Sequence, residues 1–419
     1  MPAVSFLHAA DLHIGSAFRG LSTEAPELAE LFQRSTFRAY DNLIDAAIEH
    51  AVDFVLIAGD VYDGADRSLF AQLKFNEGLR RLSEGGIQAF VVHGNHDPLD
   101  GRTAQTEAIE GVKVFGPDAE TVTVQVDGRA VAAVSGISFP KREVRSNLAR
   151  RLEPGPSELF RIGLLHANVG SDTGHDPYAP CEISELRESG MSYWALGHVH
   201  TRQVLSEQPY VVYPGNLQGR SVREVGERGC YLVRVDEHQQ VELEFLPLDV
   251  ARWHEIEVPI EGLETLDALE RAIGDRIDGR VTADDGRALL CRIALVGRGP
   301  LYGDLRAPEA GPGLLARLRD RYRDAEPAVW VQRLRVACRP SVDLAKRASQ
   351  GDLLAEVLAV GQECSEGGEA LEGLTDEVVD RLWRNSRAAK WLEPLPPEAL
   401  GELLLEAQLL CLDLLEEDT

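Results

Sequence analysis

Short apolar segments that end in aspartate, asparagine or histidine recur along the first half of this chain, and they restrict its fold more than any other feature. Buried strands are predicted, from length and composition, at Val4–Ala9, Phe54–Ala58, Phe90–Val92, Val131–Val134, Ile162–Leu165 and Tyr193–Leu196. Between the first two strands, Leu28 to Ala51 carries apolar residues at helical spacing. The order strand, helix, strand predicts an α/β domain with a largely parallel core sheet.

Polar residues follow five of these strands directly. They are Asp11 and His13, Asp60, Asn95 with His96 and Asp97, His166, and His198 with His200. In parallel α/β sheets, ligands bind in the crevice beyond the carboxyl ends of the strands. The sequence therefore predicts that five strand ends deliver these side chains to one crevice.

The types and spacing of these residues favour a pair of metal ions. Asp11 and His13, like His198 and His200, are two positions apart, so in an extended chain both members of a pair point the same way. Carboxylate, amide and imidazole ligands without thiolates suit Mn²⁺ or Fe²⁺. Such a set exceeds what one ion needs but suffices for two ions that share a carboxylate. Two ions about 3.5–4 Å apart can clamp the attacking and leaving oxygens of a phosphoester.

These segments together resemble the calcineurin-like metallophosphoesterases, and among them the DNA-repair exonucleases of the SbcD/YhaO type, the nuclease partners of SMC-like ATPases. The resemblance covers residues 1–245. It is carried by the segments His8–His13, Ala58–Gly64, Val92–Asp97, Tyr178–Cys181, Tyr193–His198, and Tyr213–Asn216 with Gly219 and Arg220. The last two of these segments are typical of this subfamily. The resemblance implies an α/β/β/α sandwich with a calcineurin-like phosphoesterase activity.

The resemblance also implies a role for each site residue. Asp11, His13 and His200 would hold one divalent ion, Asn95, His166 and His198 would hold the other, and Asp60 would bridge the two. Mn²⁺ is the expected metal. His96 would contact the scissile phosphate and assist proton transfer to the leaving group, for which an imidazole suits because its ordinary pKa lies near neutrality. The alternative for His96 is an orienting contact with a metal ligand.

Other polar residues near these segments have less specific roles. His175, in the polar loop 171–177, and Arg220 are candidate substrate contacts, with a solvated loop histidine and a surface salt bridge as the alternatives. Asp63 could approach the metals, although the resemblance does not require it as a ligand. His8 and His93 lie within strands, so we expect them to be packed or to orient ligands, and Asp97 to orient a neighbouring group.

Composition divides the chain into four predicted segments. Residues 1–249 form the phosphoesterase domain, residues 250–338 a small α+β capping domain, residues 339–350 a linker, and residues 351–419 a helical region. Within the second segment, strands are predicted at Trp253–Val258, Leu289–Val296 and Val329–Val336, and helices near Leu263–Ile277 and Gly313–Tyr322. From Pro397 the tail is rich in leucine and glutamate. It is expected to bind the coiled coil of a partner ATPase, or alternatively to dock on its own domain.

The net charge of −26 argues against a protein that grips DNA by itself, because duplex affinity rests on Lys and Arg. We therefore predict a two-metal DNA phosphodiesterase of DNA repair, an exonuclease that could also cut as an endonuclease, which acts with an SMC-like ATPase and, like related nucleases, as a homodimer. The alternatives are a metallophosphoesterase for another phosphoester and a non-catalytic scaffold. Protein phosphatases of the superfamily show GDxxDRG, whereas Gly64 and Ala65 follow Asp63 here, so the phosphate-binding arginine is absent. An intact ligand set disfavours the scaffold.

The sequence also leads us to expect a cytoplasmic protein with no membrane partner. Its first residues include no basic n-region, and no uninterrupted apolar stretch approaches the roughly 20 residues that cross a bilayer. Its six cysteines are far apart and form no CxxC pair.

Overall fold

The computed structural model describes residues 3–16, 26–64, 68–101, 107–170, 178–342, 344–365 and 397–416. The chain divides into two compact units. The first contains residues 1–259, 265–296 and 304–337, and the second contains residues 260–264, 297–303 and 338–419. Within the described residues, none of the helices combines the length and the apolar composition that a membrane span requires.

The first unit begins with a sandwich of two sheets. Its strands, in chain order, are β1 (Val4–Ala9), β2 (Phe54–Ala58), β3 (Gln88–Val92), β4 (Val112–Val114), β5 (Glu120–Val126), β6 (Arg129–Ile137), β7 (Phe160–His166), β8 (Tyr193–Gly197), β9 (Gln203–Glu207), β10 (Tyr210–Tyr213), β11 (Gly229–Val235) and β12 (Val241–Pro247). The first sheet has the order β12-β11-β1-β2-β3-β4, and the second has the order β5-β6-β7-β8-β10-β9. The central strands β1 to β4 are parallel, as are β6, β7, β8 and β10, so the parallel cores predicted from the sequence are confirmed.

Helices cover the outer face of each sheet. They are α1 (Pro26–Glu49), α2 (Leu69–Glu84) and α3 (Ile183–Glu188), with a short 3-10 turn at Ala149–Arg151. The apolar faces of α1 and α2 pack on the outer face of the first sheet, while α3 and the 3-10 turn pack on the outer face of the second. A third apolar layer lies between the sheets. The predicted α/β/β/α arrangement is confirmed.

Aromatic rings dominate the layer between the two sheets. Phe6 on β1 stacks on Phe54 with ring centroids 4.9 Å apart, and it meets Tyr193 of the facing sheet edge-on at 5.4 Å. Because β1 occupies the middle of its sheet, Phe6 is fully buried. This contact fixes the spacing of the two sheets directly beneath the polar strand ends.

A three-stranded parallel sheet follows in the first unit. It is formed by β13 (Ala251–Pro259), β14 (Ala288–Val296) and, as the third strand, Val329–Val336. The helices α4 (Leu266–Ala283) and Ala310–Arg321 connect these strands, which places successive strands in parallel. We call these three strands and two helices the middle module. The predicted strands and helices of this region are present, with bounds shifted by a few residues.

The second unit is mainly helical. It contains two short paired strands, β15 (Arg298–Gly299) and β17 (Arg339–Pro340), and the helices α7 (Leu344–Ala348), α8 (Leu353–Ser365) and α9 (Pro397–Glu416). In the chain, β15 precedes and β17 follows the third strand of the middle module, which is β16. Helix α5 (Tyr302–Leu305) precedes the second helix of the middle module (α6) in the chain. Leu412 of α9 packs on Leu354 and Leu358 of α8. Residues 339–350, predicted as a linker, thus include a short strand and a helix, and the four-segment division stays a prediction.

Truncation of Phe6 tests the aromatic layer. We expect Phe6→Ala to lower the free energy of unfolding by about 3–5 kcal/mol, because it removes a fully buried ring whose neighbours on two sheets cannot close the space. Urea denaturation followed by circular dichroism measures the change. As a control, Ile48→Ala should alter it by less than about 0.5 kcal/mol, because Ile48 is exposed. Equal effects of the two substitutions would contradict the assigned role of Phe6.

Candidate metal centre

The polar strand ends of both sheets meet at one edge of the sandwich. Within the first sheet, the backbone N–H groups of Asp11 and His13 donate to the carbonyls of Gly59 and Asp60, at 3.1 and 3.0 Å. Between the sheets, the N–H of His198 donates to the Asp11 carboxylate at 3.1 Å, and His166 Nδ1 lies 2.9 Å from the carbonyl of Ala58. These cross-sheet bonds bring the five strand ends into one crevice.

The backbone at this edge is strained. Asp11, His13, Asp60 and His198 all have positive φ, at 51°, 43°, 51° and 102°. Such a conformation costs roughly 1–3 kcal/mol for a residue with a side chain, and it persists only where the surroundings enforce it. Four residues of the predicted ligand set share this strain, which is the usual signature of a functional site.

The residues predicted to hold the first ion face one another closely. Nε2 of His13 and Nε2 of His200 are 3.3 Å apart, and Nε2 of His200 lies 3.9 Å from Oδ1 of Asp11. The three ligand atoms all lie within 4.8 Å of one another. Two imidazole nitrogens that meet at this distance cannot both be satisfied as acceptors, and a shared cation would satisfy both.

The residues predicted to hold the second ion form an adjoining group. Nε2 of His166 lies 3.0 Å from Oδ1 of Asn95, and the ring of His198 meets the ring of His166 edge-on at 5.2 Å. Asp60 lies between the two groups, since its Oδ2 is 3.9 Å from His13 Nε2 and 3.5 Å from His166 Nε2. This is the position that a bridging carboxylate requires.

Burial drives these groups toward their neutral forms. It raises the pKa of Asp11 well above its ordinary value, with the charge of Asp60 adding to the rise. It also lowers the pKa of His13 well below the ordinary value and that of His166 to about 4. Nδ1 of His13 is buried without a hydrogen-bond partner. Neutral imidazoles and clustered carboxylates in a buried space match the donor set of divalent cations, so these residues fit a metal centre.

His96 lies at the mouth of the same crevice, held by Asp63. Nδ1 of His96 lies 2.8 Å from Oδ1 of Asp63, and its ring meets that of His13 edge-on at 5.1 Å. The hydrogen bond to Asp63 raises the pKa of His96, while it lowers that of Asp63. His96 can also form a ligand group with His13 and Asp60, so proximity alone leaves both an orienting or proton-transfer role and a ligand role open.

Arg220 reaches the site from the loop after β10. Its Nη1 donates to Oγ of Ser16 at 2.8 Å and to Oδ2 of Asp63 at 3.1 Å. Arg220 and His96 therefore contact the same carboxylate, that of Asp63. The predicted substrate contact and the predicted salt bridge are both compatible with this position.

Two residues that the sequence did not single out contact His200. Oε1 of Glu224 lies 2.6 Å from His200 Nδ1, and the guanidinium of Arg228 donates to the carbonyl of His200. Burial alone would raise the pKa of Glu224, but the hydrogen bond with His200 and the charge of Arg220 bring it down to about 2. Neither residue lies in a local motif, so the sequence carries no signal for these contacts.

The remaining predicted residues are placed as follows. His8 is buried between Tyr193 Oη, at 3.0 Å, and the carbonyl of Leu196, at 3.2 Å, and its role is packing beneath the site. Asp97 accepts from His93 Nδ1 at 2.9 Å and from the N–H groups of Val61 and Gly94, so it orients the loops after β2 and β3. His175 lies outside the described residues.

Two protein families and a full-length relative match this chain. The family described as calcineurin-like phosphoesterase matches residues 4–202, and the family described as metallophosphoesterase YhaO, middle domain, matches residues 253–339. A Bacillus subtilis protein named uncharacterized metallophosphoesterase YhaO is 34% identical over 98% of this chain and 99% of its own length. This chain is a calcineurin-like metallophosphoesterase. It is accordingly a phosphoester hydrolase of a family that depends on divalent metals.

A subunit of a nuclease and a DNA double-strand break repair protein also match this metallophosphoesterase, at lower coverage. The SbcD component of the Escherichia coli nuclease SbcCD is 34% identical over 53% of this chain and 62% of its own length. The DNA double-strand break repair protein Mre11 of Aeropyrum pernix is 27% identical over 55% of this chain and 57% of its own length. The metallophosphoesterase is thus related to the SbcD and Mre11 nucleases, while its full-length likeness is to the YhaO protein.

Gly94 offers a test of this metallophosphoesterase site. A Cβ at Gly94 would collide with Oδ1 of Asp60 and come within 2.8 Å of the His166 ring, so Gly94→Ala must displace both side chains. We expect its affinity for Mn²⁺ to fall by about tenfold or more, measured by isothermal titration calorimetry. Gly116→Ala is the control, because nothing lies within 4 Å of the added Cβ, and its affinity should stay at the wild-type value. Wild-type affinity in Gly94→Ala would count against the site.

Proposed function

We propose that this protein is a two-metal-dependent DNA phosphodiesterase of DNA repair, an exonuclease that could also cut as an endonuclease. The observation that carries the proposal is the position of Asp60, whose carboxylate lies 3.9 Å from His13 on one side and 3.5 Å from His166 on the other. A carboxylate so placed between two ligand groups supports two ions in one centre. The similarity to a DNA double-strand break repair protein and to a nuclease subunit supports DNA as the substrate.

The seven predicted ligands divide between the two ions. Asp11, His13 and His200 would hold one ion, Asn95, His166 and His198 would hold the other, and Asp60 would be shared between them. When bound, two such ions supply Lewis acidity toward the phosphoester oxygens and lower the pKa of the attacking water. Mn²⁺ is the proposed metal, because it accepts mixed oxygen and imidazole ligands.

His96 serves as the proton donor to the leaving oxygen. Asp63 accepts from its Nδ1, which leaves Nε2 on the opposite edge of the ring free to face the substrate. The raised pKa of His96, caused first by this hydrogen bond, increases the protonated fraction near neutral pH. The side chain of His96 is 32% exposed, so a phosphoester can reach it.

Arg220 takes the role of the phosphate-binding arginine that protein phosphatases carry at another position. Protein phosphatases of the superfamily carry a phosphate-binding arginine directly after the residue that corresponds to Asp63, where this chain has Gly64. Arg220 instead approaches Asp63 from the loop after β10 and lies 3.1 Å from its carboxylate. We infer that its guanidinium contacts the substrate phosphate from this side. His175, predicted from the sequence alone, is proposed as a further substrate contact.

A partner protein provides most of the affinity for DNA. The net charge of −26 makes this chain a weak DNA binder by itself, since few phosphates can be neutralised. Helix α9 packs on α8 through Leu412, yet Leu403, Leu410 and Leu414 remain 49%, 57% and 60% exposed. An apolar stripe on an already packed helix suits the coiled coil of an SMC-like ATPase. We further propose that the nuclease works in the cytoplasm as a homodimer, as related nucleases are expected to do.

Substitution of His96 separates catalysis from metal binding. We expect His96→Ala to lower the rate of DNA cleavage in Mn²⁺ by about 10²- to 10⁴-fold while both ions stay bound, because the proton donor is lost and the ligands remain. Gel assays on linear DNA and calorimetric titration of Mn²⁺ provide the two measurements. Loss of one ion from this variant would make His96 a ligand instead.

The same assays decide between this function and its alternatives. Hydrolysis of small phosphoesters or phosphoproteins by the wild-type protein, with no DNA cleavage even when the ATPase is present, would favour a metallophosphoesterase of another substrate class. Metal binding with no hydrolysis of any phosphoester would favour a scaffold.

The exposed leucines of α9 provide a test of the partner. The combined change Leu403→Gln, Leu410→Gln and Leu414→Gln should weaken binding of the SMC-like ATPase from the same organism by about tenfold or more, because it removes apolar area from the contact. Analytical ultracentrifugation measures the binding, and cleavage of short DNA should be unchanged. As a control, Leu353→Gln alters an exposed leucine on α8 instead. Undiminished ATPase binding by the triple variant would exclude this face of α9.

A further inference from the structure

The segment from Asn216 to Arg228, which we call the clamp segment, holds His200 from two directions. The carboxylate of Glu224 lies 2.6 Å from Nδ1 of His200, while the guanidinium of Arg228 donates to the backbone carbonyl of His200. Both partners are well enclosed, since the side chain of Glu224 is 13% exposed and Arg228 is 8% exposed. The imidazole and the backbone of one site residue are therefore fixed by neighbours in the same segment.

The contact with Glu224 determines which nitrogen of His200 faces the crevice. A carboxylate accepts only, so Nδ1 of His200 donates its hydrogen to Glu224, and the nitrogen that could bind a metal ion is Nε2. Nε2 is the atom that faces His13 at 3.3 Å and Asp11 at 3.9 Å. The second carboxylate oxygen of Glu224 accepts from the N–H of Arg220 at 2.6 Å, which fixes the carboxylate itself.

Arg228 donates hydrogen bonds within the clamp segment as well as to His200. Its Nη1 donates to Oδ1 of Asn216 at 3.1 Å, and its Nη2 donates to the carbonyl of Val225 at 2.9 Å. One guanidinium thus joins the two ends of the segment to the loop that carries His200. A shift of the segment must move the His200 backbone with it.

The same segment is bonded to the beginning of the middle module. The N–H of Gly226 donates to the carbonyl of Trp253 at 3.0 Å, and Nε2 of Gln218 donates to the carbonyl of Ala251 at 2.6 Å. In return, Oε1 of Gln218 accepts from the N–H of Val250 at 3.0 Å. The first strand of the middle module is therefore paired with the segment that holds His200.

A buried ionic network anchors that strand within its own module. Arg252 donates to Asp249 at 2.8 Å and to Asp284 at 3.0 Å, and Asp284 also lies 2.7 Å from Nε2 of His254. Asp284 ends helix α4, so the network ties β13 to the helix that follows it. Displacement of the middle module would consequently be transmitted through β13 to the clamp segment.

We propose that Glu224 and Arg228 are positioning residues for His200, and that the clamp segment couples the middle module to the metal centre. The inference rests on the proposed function in one respect, namely that His200 is a metal ligand. Coupling of this kind is reciprocal, so metal binding at His200 must also stabilise the pairing between the clamp segment and β13.

Metal titration of the full chain tests the positioning role. Calorimetry with Mn²⁺ should show two ions bound to the wild-type protein, and Glu224→Ala should weaken one of them by about 10- to 100-fold while the other is little changed. Glu224→Gln keeps an oxygen that can accept from Nδ1 and should show an intermediate loss, and it replaces Glu224→Ala if that variant fails to fold. Glu244→Gln is the matched control, because this carboxylate pairs with Arg234 on the surface of β12. Wild-type affinity for both ions in the two Glu224 variants would overturn the role.

Hydrogen exchange tests the coupling. Addition of Mn²⁺ to the wild-type protein should slow amide exchange at Leu248 to Trp253 as well as at the metal centre, and the slowing at Leu248 to Trp253 should disappear in Glu224→Gln. Slowing confined to the metal centre would overturn the coupling. A wild-type protein that binds no Mn²⁺ would reject the metal centre itself, whereas one that binds two ions but cleaves no DNA would reject only the proposed nuclease function.

Discussion

Two buried carboxylates that lie close together are the constraint on which the rest of this structure depends. Asp11 and Asp60 are each only 1% exposed, and burial together with their mutual repulsion raises the pKa of Asp11 well above its ordinary value. Buried charges of one sign are costly unless cations offset them. The turns that carry both residues are also held in positive φ. The sandwich tolerates these costs because its apolar layers are extensive on both sides of each sheet.

The backbone strain at the strand ends and the clustering of buried carboxylates both follow from the topology of the two sheets. Parallel strands of two facing sheets end at one edge, so side chains that follow the strands must turn sharply to meet one another. Positive φ at Asp11, His13, Asp60 and His198 produces these turns, and hydrogen bonds between the sheets hold them. A metal-loaded centre would offset the repulsion, so loading and folding stability should be linked in this family.

The fold and the meeting of the polar strand ends in one crevice are predictable from sequence for a local reason. Each apolar strand and the polar residues after it lie within about ten positions, so periodicity and composition are sufficient to recognise them. The contacts of Glu224 and Arg228 with His200 were not predictable, because they join residues 24 and 28 positions apart through a loop without a motif. For the same reason, the sequence alone does not decide between a substrate contact and a salt bridge for Arg220. Pairing of the middle module's strands likewise depends on helices that cross between them, which composition alone does not orient.

The order of the site residues along the chain has a consequence for synthesis. The crevice includes Asp11 from the first strand end and a contact from Arg228 far along the sequence, and four further strand ends contribute residues between them. A chain that emerges from the ribosome N-terminus first cannot assemble the centre until this whole stretch has been translated. Until then Asp11, His13 and Asp60 are present without His166, His198 and His200. A centre that requires all of these residues cannot act on a phosphoester while the chain is still being made.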